Sequence, residues 1–290
     1  MTIDRRPTKE DIDEYAERID KAIQRGIFPE SVYKYRCWNE EPEDDIIRKG
    51  ILYLSPPSKL SEDYPEAILP IDESQLTDEN LMKVARRYVA EFFPHLKGDE
   101  KELKVNEIRS KMKAQDQNHL SEFEIYRLKR NDEVYGIFCT SLTRDNSAQW
   151  EGTACLSTGF AVGLNLKEIL IDERIFAQAS KVNYYDSANP PKVPPFTFTQ
   201  EESSQKAWDQ VFNVPKLYQD EDELRILRHS HKYENGKIKA YEEDDRKIKL
   251  EDKHLTEIII GSKMRDEDKV EFKEYCKLNF PKTKIVEQGK

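Results

Sequence analysis

Hydrophobic residues recur at helical spacing in several long stretches of the chain. Ile12, Tyr15 and Ile19 lie on one face of a predicted N-terminal helix over residues 8–24, for which Thr8 is the expected N-cap. The same spacing predicts a helix over residues 77–92 and another over residues 266–278. The residues expected to face the core in this last helix are Val270, Phe272, Tyr275 and Cys276.

Runs rich in β-branched and aromatic residues between these helices predict strands. The predicted strands are residues 32–36, 51–54, 134–141, 159–164, 181–185, 223–228, 257–260 and 284–286. The last two flank the 266–278 helix, and this order predicts a parallel βαβ crossover. Residues 75–121 are highly charged and hold too few apolar side chains for a core of their own. We therefore expect one α+β domain over residues 1–290, with a mixed central sheet, an N-terminal helix, a helical insertion over residues 75–121 and a C-terminal βαβ unit.

Charge and composition exclude several classes of function. The net charge of −10 disfavours general binding to nucleic acids or anionic membranes, because both repel an acidic protein. A run of about 18 apolar residues, as a membrane span requires, is not present. Residues 1–9 are charged and lack the apolar stretch of a signal peptide. We expect a cytoplasmic protein with no membrane partner, for which another protein is the candidate partner.

Short motifs of common catalytic and metal sites are also missing from the sequence. It contains neither G-x-G-x-x-G nor the Walker phosphate loop, and no G-x-S-x-G marks a hydrolase nucleophile. The cysteines, Cys37, Cys139, Cys155 and Cys276, include no C-x-x-C pair. We expect free thiols in a reducing compartment and predict no metal site.

One local pattern carries candidate chemistry, namely Tyr218-x-x-Glu221-x-Glu223-x-Arg225. Alternate side chains of a strand share a face, so Glu221 and Glu223 are expected to point to the same side. Neighbouring carboxylates repel each other, which raises the pKa of one of them towards the range of an acid–base catalyst. The alternative is a solvated acidic turn in which Arg225 pairs with a glutamate.

Further segments, from about residue 32 to residue 286, share their order with a known family. They are Tyr33-Lys34-Tyr35-Arg36, residues 50–57, residues 136–141, Trp150 with Gly159-Phe160, the Tyr218 to Arg225 pattern and Ile258-Ile259-Ile260-Gly261. In this order and spacing, the chain resembles a bacterial family of unknown function, domain-of-unknown-function family 2971. It departs from the family at polar positions. Residues 60–65 replace an Asn-Asp-Pro motif, Thr153 and Ser157 replace a tyrosine and a histidine, and Tyr218 replaces a tryptophan.

The E-x-E pattern also resembles the acidic motif of ADP-ribosyltransferases, whose second glutamate holds the nicotinamide ribose of NAD. That resemblance implies NAD as the cofactor and Glu221 and Glu223 as the catalytic residues. It implies that Arg36, at the end of the first strand, contacts a phosphate in bidentate fashion. The other residues expected around the cofactor are Tyr35, Trp150, Tyr218 and Arg225, and the middle-strand polar motif is expected at Thr140 and Ser141 or at Ser157 and Thr158.

Two functions are therefore open at this point. The first is an NAD-dependent ADP-ribosyltransferase-like enzyme or a degenerate relative, with Trp150 and Tyr218 as walls of its site. The second is a non-catalytic binding or accessory module in bacterial stress or phage defence, as the replaced polar residues imply. Trp150 is ambiguous in itself, since it either stacks on a base or sugar or closes the core as a buried aromatic residue.

Overall fold

The computed structural model describes residues 7–40, 45–63, 68–114, 131–230, 233–234 and 237–289. The strands are β1 Ser31–Arg36, β2 Ile51–Tyr53, β3 Tyr135–Ser141, β4 Phe160–Asn165, β5 Gln178–Lys181, β6 Asn183–Tyr185, β7 Asn213–Pro215, β8 Glu223–His229, β9 Tyr233–Glu234, β10 Lys237–Ile238, β11 Lys247–Lys249, β12 Leu255–Ile260 and β13 Ile285–Glu287. The helices are α1 Lys9–Gln24, α2 Asp45–Arg48, α3 Pro57–Asp63, α4 Asp78–Phe92, α5 Gly98–Ala114, α6 Ser147–Glu151, α7 Leu166–Ile171, α8 Gln200–Phe212 and α9 Asp266–Asn279.

A mixed seven-stranded sheet forms the centre of the fold, in the order β13-β12-β4-β1-β3-β8-β5. Its neighbouring strands are antiparallel except for β12 and β13, which are parallel and joined through α9. The predicted α+β class, the mixed sheet and the C-terminal βαβ unit are confirmed. Helices in the described ranges include none long and apolar enough to cross a membrane.

The two faces of the sheet carry separate apolar clusters. One face contributes Phe160 and Ile258 to a large cluster that includes Phe272 of α9. The other face contributes Tyr35 and Ala161, neighbours across the β1–β4 ladder, to a small cluster around Trp150. This second face is only partly apolar, and the acidic pattern lies on it.

The predicted N-terminal helix is confirmed in detail. Thr8 caps α1 through a reciprocal arrangement in which its side chain accepts from the Asp11 amide and Asp11 accepts from the Thr8 amide. The helical stretch after residue 75 forms the antiparallel pair α4 and α5, which share a small apolar cluster of Ala85, Val89 and Val105. Residues 115–121 of the expected insertion lie outside the described ranges, and its status as part of a single domain stays a prediction.

Several local expectations are corrected by the structure. The strand expected over residues 181–185 is two strands, because the chain leaves the central sheet at Val182 and β6 pairs with β7 instead. Val270 is exposed, since residues two apart in a helix point in nearly opposite directions and Phe272 is the one facing the core. The short helices α3 and α7 carried no sequence signal strong enough to predict them. Trp150 lies within the short helix α6, which the residue pattern does not predict.

Candidate functional site

The central sheet opens between β1 and β3. These strands pair at Tyr33 and Ser141, and farther along β3 the partner is Ser55, which follows β2. Between the two points, the carbonyl oxygen of Cys139 accepts a hydrogen bond from Lys34 Nζ at 2.8 Å. A lysine side chain thus takes the place of a neighbouring strand in satisfying this backbone group. The opening forms a pocket of about 80 Å³.

Several residues that the sequence placed in one site border this pocket. Tyr35, Arg36, Glu221 and Glu223 all line it. Glu223 shares a face of the sheet with Tyr35, because the registers across β1, β3 and β8 align their alternate residues. Arg36 belongs by alternation to the opposite face, and it reaches the pocket because the sheet is open at the end of β1. The polar residues Thr140 and Ser141 line the pocket, and of the alternative pair neither Ser157 nor Thr158 is among its lining residues.

The two glutamates converge through a turn rather than through strand alternation. Residues Lys216–Glu221 form a 3-10 turn, Asp222 follows with φ of +47°, and β8 begins at Glu223. Aspartate tolerates this left-handed conformation better than most residues with a Cβ. The Asp222 carbonyl accepts from the Leu142 amide at 2.8 Å, which holds the turn against the end of β3. Glu221 and Glu223 therefore line the same pocket, although Glu221 is not on a strand.

Glu221 has the electrostatics of an acid–base group. Burial in the pocket, followed by repulsion from Glu223, raises the pKa of Glu221 to about 7. Arg225, Lys34 and a hydrogen bond with Gln149 oppose this rise. At neutral pH the carboxyl group is therefore present in both protonation states, as general acid–base catalysis favours.

Glu223 is held by its neighbours much more firmly. Its Oε2 accepts from Arg225 Nη2 at 2.9 Å, and both side chains are buried. Its amide donates to the hydroxyl of Tyr184 at 2.8 Å. Burial and the nearby Glu223 raise the pKa of Cys139 to about 12, so this thiol stays protonated at neutral pH and is a poor nucleophile. The pairing of Arg225 with a glutamate, expected in the alternative, is found at Glu223, and Glu221 lines the pocket.

Asn146 joins the parts that carry the pocket. Its Nδ2 donates to the carbonyl oxygens of Asp220 and Glu221 at 2.9 and 3.0 Å and to Ser141 Oγ at 3.2 Å. Its Oδ1 caps α6 by accepting from the Gln149 amide at 3.0 Å. One buried side chain therefore fixes the acidic turn, the end of β3 and the helix that presents Gln149.

The aromatic residues expected as walls do not line the pocket. Trp150 is buried and packs edge-on against Tyr35, with ring centroids 5.1 Å apart. Of the two roles considered for Trp150, the structure shows the second, a buried aromatic residue of the core that packs against Tyr35. Tyr218 lies half-buried on the 3-10 turn, and Arg225 stands behind Glu223. The walls are instead built from β1, β3 and the polar residues Gln149 and Thr153.

Lys34, Gln149 and Asn146 were not expected as site residues. A lysine in the middle of a β-prone strand is the one signal that pointed to Lys34, because a charge there needs a buried partner. Gln149 and Asn146 become visible only once the acidic turn packs on α6. Together the pocket offers two carboxylates, two cationic side chains and an amide, a set that can bind a small polar or anionic group and move a proton.

The expectation of free thiols is wrong for two of the cysteines. Cys37 and Cys155 form a disulfide, with Cα atoms 5.4 Å apart, whereas Cys139 and Cys276 are free. The antiparallel ladder of β1 and β4 brings the two together, since Cys37 lies just beyond the last ladder pair. Glu40 is near enough that its carboxylate and the two sulfurs lie within 4.8 Å of one another, but both sulfurs are engaged in the disulfide.

Comparison of the chain with protein-family models, curated proteins and solved structures found no match. The resemblance to family 2971 and the likeness to ADP-ribosyltransferases therefore stay predictions.

Proposed function

We propose that the pocket between β1 and β3 is the site of an NAD-dependent ADP-ribosyltransferase-like enzyme. The observation that carries this proposal is the convergence of Glu221, Glu223 and Arg36 on one pocket, with the pKa of Glu221 raised to about 7. Carboxylates stabilise the positive charge that develops on a ribose as its bond to nicotinamide breaks. An arginine beside such carboxylates, here Arg36, binds phosphate groups through charge-assisted hydrogen bonds. The pocket supplies both kinds of group side by side.

In this reaction the bond between nicotinamide and ribose breaks and nicotinamide leaves. A nucleophilic hydroxyl or amine of the acceptor forms the new bond to the ribose. The acceptor gives up a proton, for which the ionised form of Glu221 is the base. Glu223, fixed by Arg225, supplies a negative charge of constant position next to it. Lys34 and Arg36 border the pocket and suit the phosphates of the dinucleotide. The pocket encloses about 80 Å³, whereas ligand pockets usually enclose about 300 Å³ or more. One ring of the dinucleotide therefore enters the pocket, and the rest lies along its rim.

A non-catalytic binding module is the second candidate, and the small pocket favours it. A volume of about 80 Å³ suits a small anion or a single ring without rearrangement. In that case the same residues bind a phosphate group, alone or as the part of ADP-ribose that enters the pocket, without breaking a bond. The two functions differ in whether nicotinamide is released.

Nicotinamide release from NAD, followed by chromatography, tests the enzyme directly. Glu221→Gln keeps the size of the side chain and removes the base, so we expect the rate to fall by about 10²- to 10⁴-fold. In the unmodified protein, kcat/KM should rise with pH around pH 7 as Glu221 ionises, and this rise should vanish in Glu221→Gln. Glu151→Gln, on the exposed end of α6, is the control and should leave the rate unchanged.

The two candidates are separated by adding calorimetric titration with ADP-ribose. Binding that weakens in Arg36→Gln, without nicotinamide release in the unmodified protein, would support the binding module and reject the enzyme. Release that persists in Glu221→Gln would show that the pocket is not the catalytic site.

A further inference from the structure

The Cys37–Cys155 disulfide connects two sides of the pocket. Cys37 directly follows Arg36, which lines the pocket from the end of β1. Its Sγ lies 3.4 Å from the carbonyl oxygen of Thr153, a residue that lines the pocket from the segment after α6. The cysteines are separated by 118 residues in sequence, so the bond fixes the spacing of two distant segments. Breaking this disulfide should therefore affect the positions of Arg36 and Thr153 in the pocket.

The backbone after Thr153 is held in an unusual conformation. Cys155, Leu156 and Ser157 have φ values of +52°, +57° and +66°, a left-handed turn made without glycine. Each of these residues is disfavoured there by its Cβ. The turn is tied down by the disulfide and by amide hydrogen bonds, such as the bond of 2.8 Å from Ser157 to the carbonyl oxygen of Trp150. Without the disulfide, the backbone of residues 155–157 can relax from the left-handed region towards more favourable φ values.

Close packing carries such a movement to Arg36. Gly159 lies so near β1 that a Cβ there would collide with the carbonyl oxygen of Arg36 and come within 3.0 Å of the Cα of Cys37. The segment from Cys155 to Gly159 and the end of β1 therefore have little room to move independently.

The two sulfurs differ in access and in electrostatics. Cys155 is half-buried, whereas Cys37 is buried. The carboxylate of Glu40 lies 4.0 Å from the Sγ of Cys155 and repels a negative charge on that sulfur. An incoming thiolate reaches Cys155 first because Cys155 is the more exposed sulfur. The Glu40 carboxylate slows this attack, but it also disfavours the release of Cys155 as a thiolate, so the sulfur that leaves is that of Cys37.

We propose that Cys37 and Cys155 form a reversible thiol–disulfide exchange site whose oxidation state controls the pocket. A dithiol reductant attacks Cys155 Sγ, the disulfide breaks, and Cys37 leaves as a thiolate that takes up a proton. The second thiol of the reductant then attacks the mixed disulfide and releases Cys155, so that two electrons and two protons pass to the protein and the reductant becomes a disulfide. A low-molecular-weight disulfide restores the bond by the reverse steps. The oxidised form holds the walls for ligand binding, and the reduced form loosens them. Exchange and loosening stand on the geometry alone, whereas control of a reaction rests on the proposed function.

Thiol counting and hydrogen exchange on the full chain test the proposal. In buffers of reduced and oxidised dithiothreitol with a chelator, the folded protein should pass from two thiols to four, and oxidised glutathione should return it to two. The thiols are counted in denaturant after an acid quench, because Cys276 is buried and the Cys139 thiol stays protonated in the folded protein. Amide exchange in residues 150–159 and 31–40 should become about tenfold faster on reduction. The double variant Cys37→Ser/Cys155→Ser should behave as the reduced form in either buffer. Cys276→Ser, which removes a free buried thiol, should respond to reduction as the unmodified protein does.

Three results would overturn the proposal. One is a disulfide that resists reduction until the protein unfolds, which would make it purely structural. Another is reduction that leaves the exchange of residues 150–159 unchanged. The third is loosening that appears equally without Cys37 and Cys155. Nicotinamide release, if present, should fall about tenfold on reduction; if it is absent in both states while exchange changes, the proposed reaction fails and the exchange site stands.

Discussion

Replacing Glu221 with glutamine should stabilise the fold at alkaline pH while removing the proposed base. The pKa of Glu221 is about 7 in the folded protein and 4.5 when unperturbed. Between these values the folded state holds a proton that the unfolded state has lost, so stability falls as pH rises through this window. Above pH 7 the charge is fully present in the folded protein, and its cost reaches a constant value.

The size of this cost follows from the shift. A difference of this size corresponds to about 3 kcal/mol at roughly 1.4 kcal/mol for each pKa unit. Glu221 is only half-buried, so solvent screening lowers the expected value to about 1–2 kcal/mol. Glutamine fills the same space without a charge and should recover that amount at pH 8.5, whereas at pH 4 the protonated glutamate and the glutamine should be nearly equivalent.

Urea unfolding at pH 4 and pH 8.5 measures the difference. The unmodified protein, Glu221→Gln and the exposed control Glu151→Gln should be compared by their free energies of unfolding. We expect a gain of about 1–2 kcal/mol for Glu221→Gln at pH 8.5 alone, and no pH-dependent gain for the control. A loss of stability at pH 8.5, or an equal gain at both pH values, would refute the electrostatic account of Glu221. A charged residue whose neutralisation raises stability but abolishes activity is one retained for function.

Three other substitutions test buried contacts of the fold. Glu223→Gln leaves Arg225 buried without its carboxylate and should lower the free energy of unfolding by about 3–5 kcal/mol, whereas Glu223→Gln/Arg225→Met should recover part of that loss in urea unfolding. Gly159→Ala should lower the melting temperature and reduce binding in the pocket, because the new methyl group collides with the carbonyl oxygen of Arg36; unchanged melting would contradict the close packing. His254→Ala should lower the free energy of unfolding by about 1–3 kcal/mol, since the buried Asp172 carboxylate loses its contact with His254 Nε2 at 3.0 Å; a thermal unfolding curve like that of the unmodified protein would contradict this.

The elements of the fold were largely predictable, because their signals are local. The cap at Thr8 and the apolar face of α1 are contained within residues 8–24. The C-terminal βαβ unit follows from strand, helix and strand in sequence order, with β12 and β13 parallel as expected. The opening between β1 and β3 and the disulfide depend on which distant strands pair, and alternation fixes the buried face of a strand without identifying its neighbour.

The candidate site shows the same division between local and distant information. The spacing of Glu221 and Glu223 predicted that the two lie close together, and both line the pocket, but the turn that brings them there is a 3-10 turn that ends in the left-handed Asp222. Strand alternation alone would have placed Glu221 on the same face of one strand as Glu223 and Arg225. The turn instead gives the two carboxyl groups different surroundings, with Glu223 tied to Arg225 and Glu221 facing the pocket. Two carboxylates two residues apart thereby acquire different roles, one as a fixed charge and the other as a group that can gain and lose a proton near neutral pH.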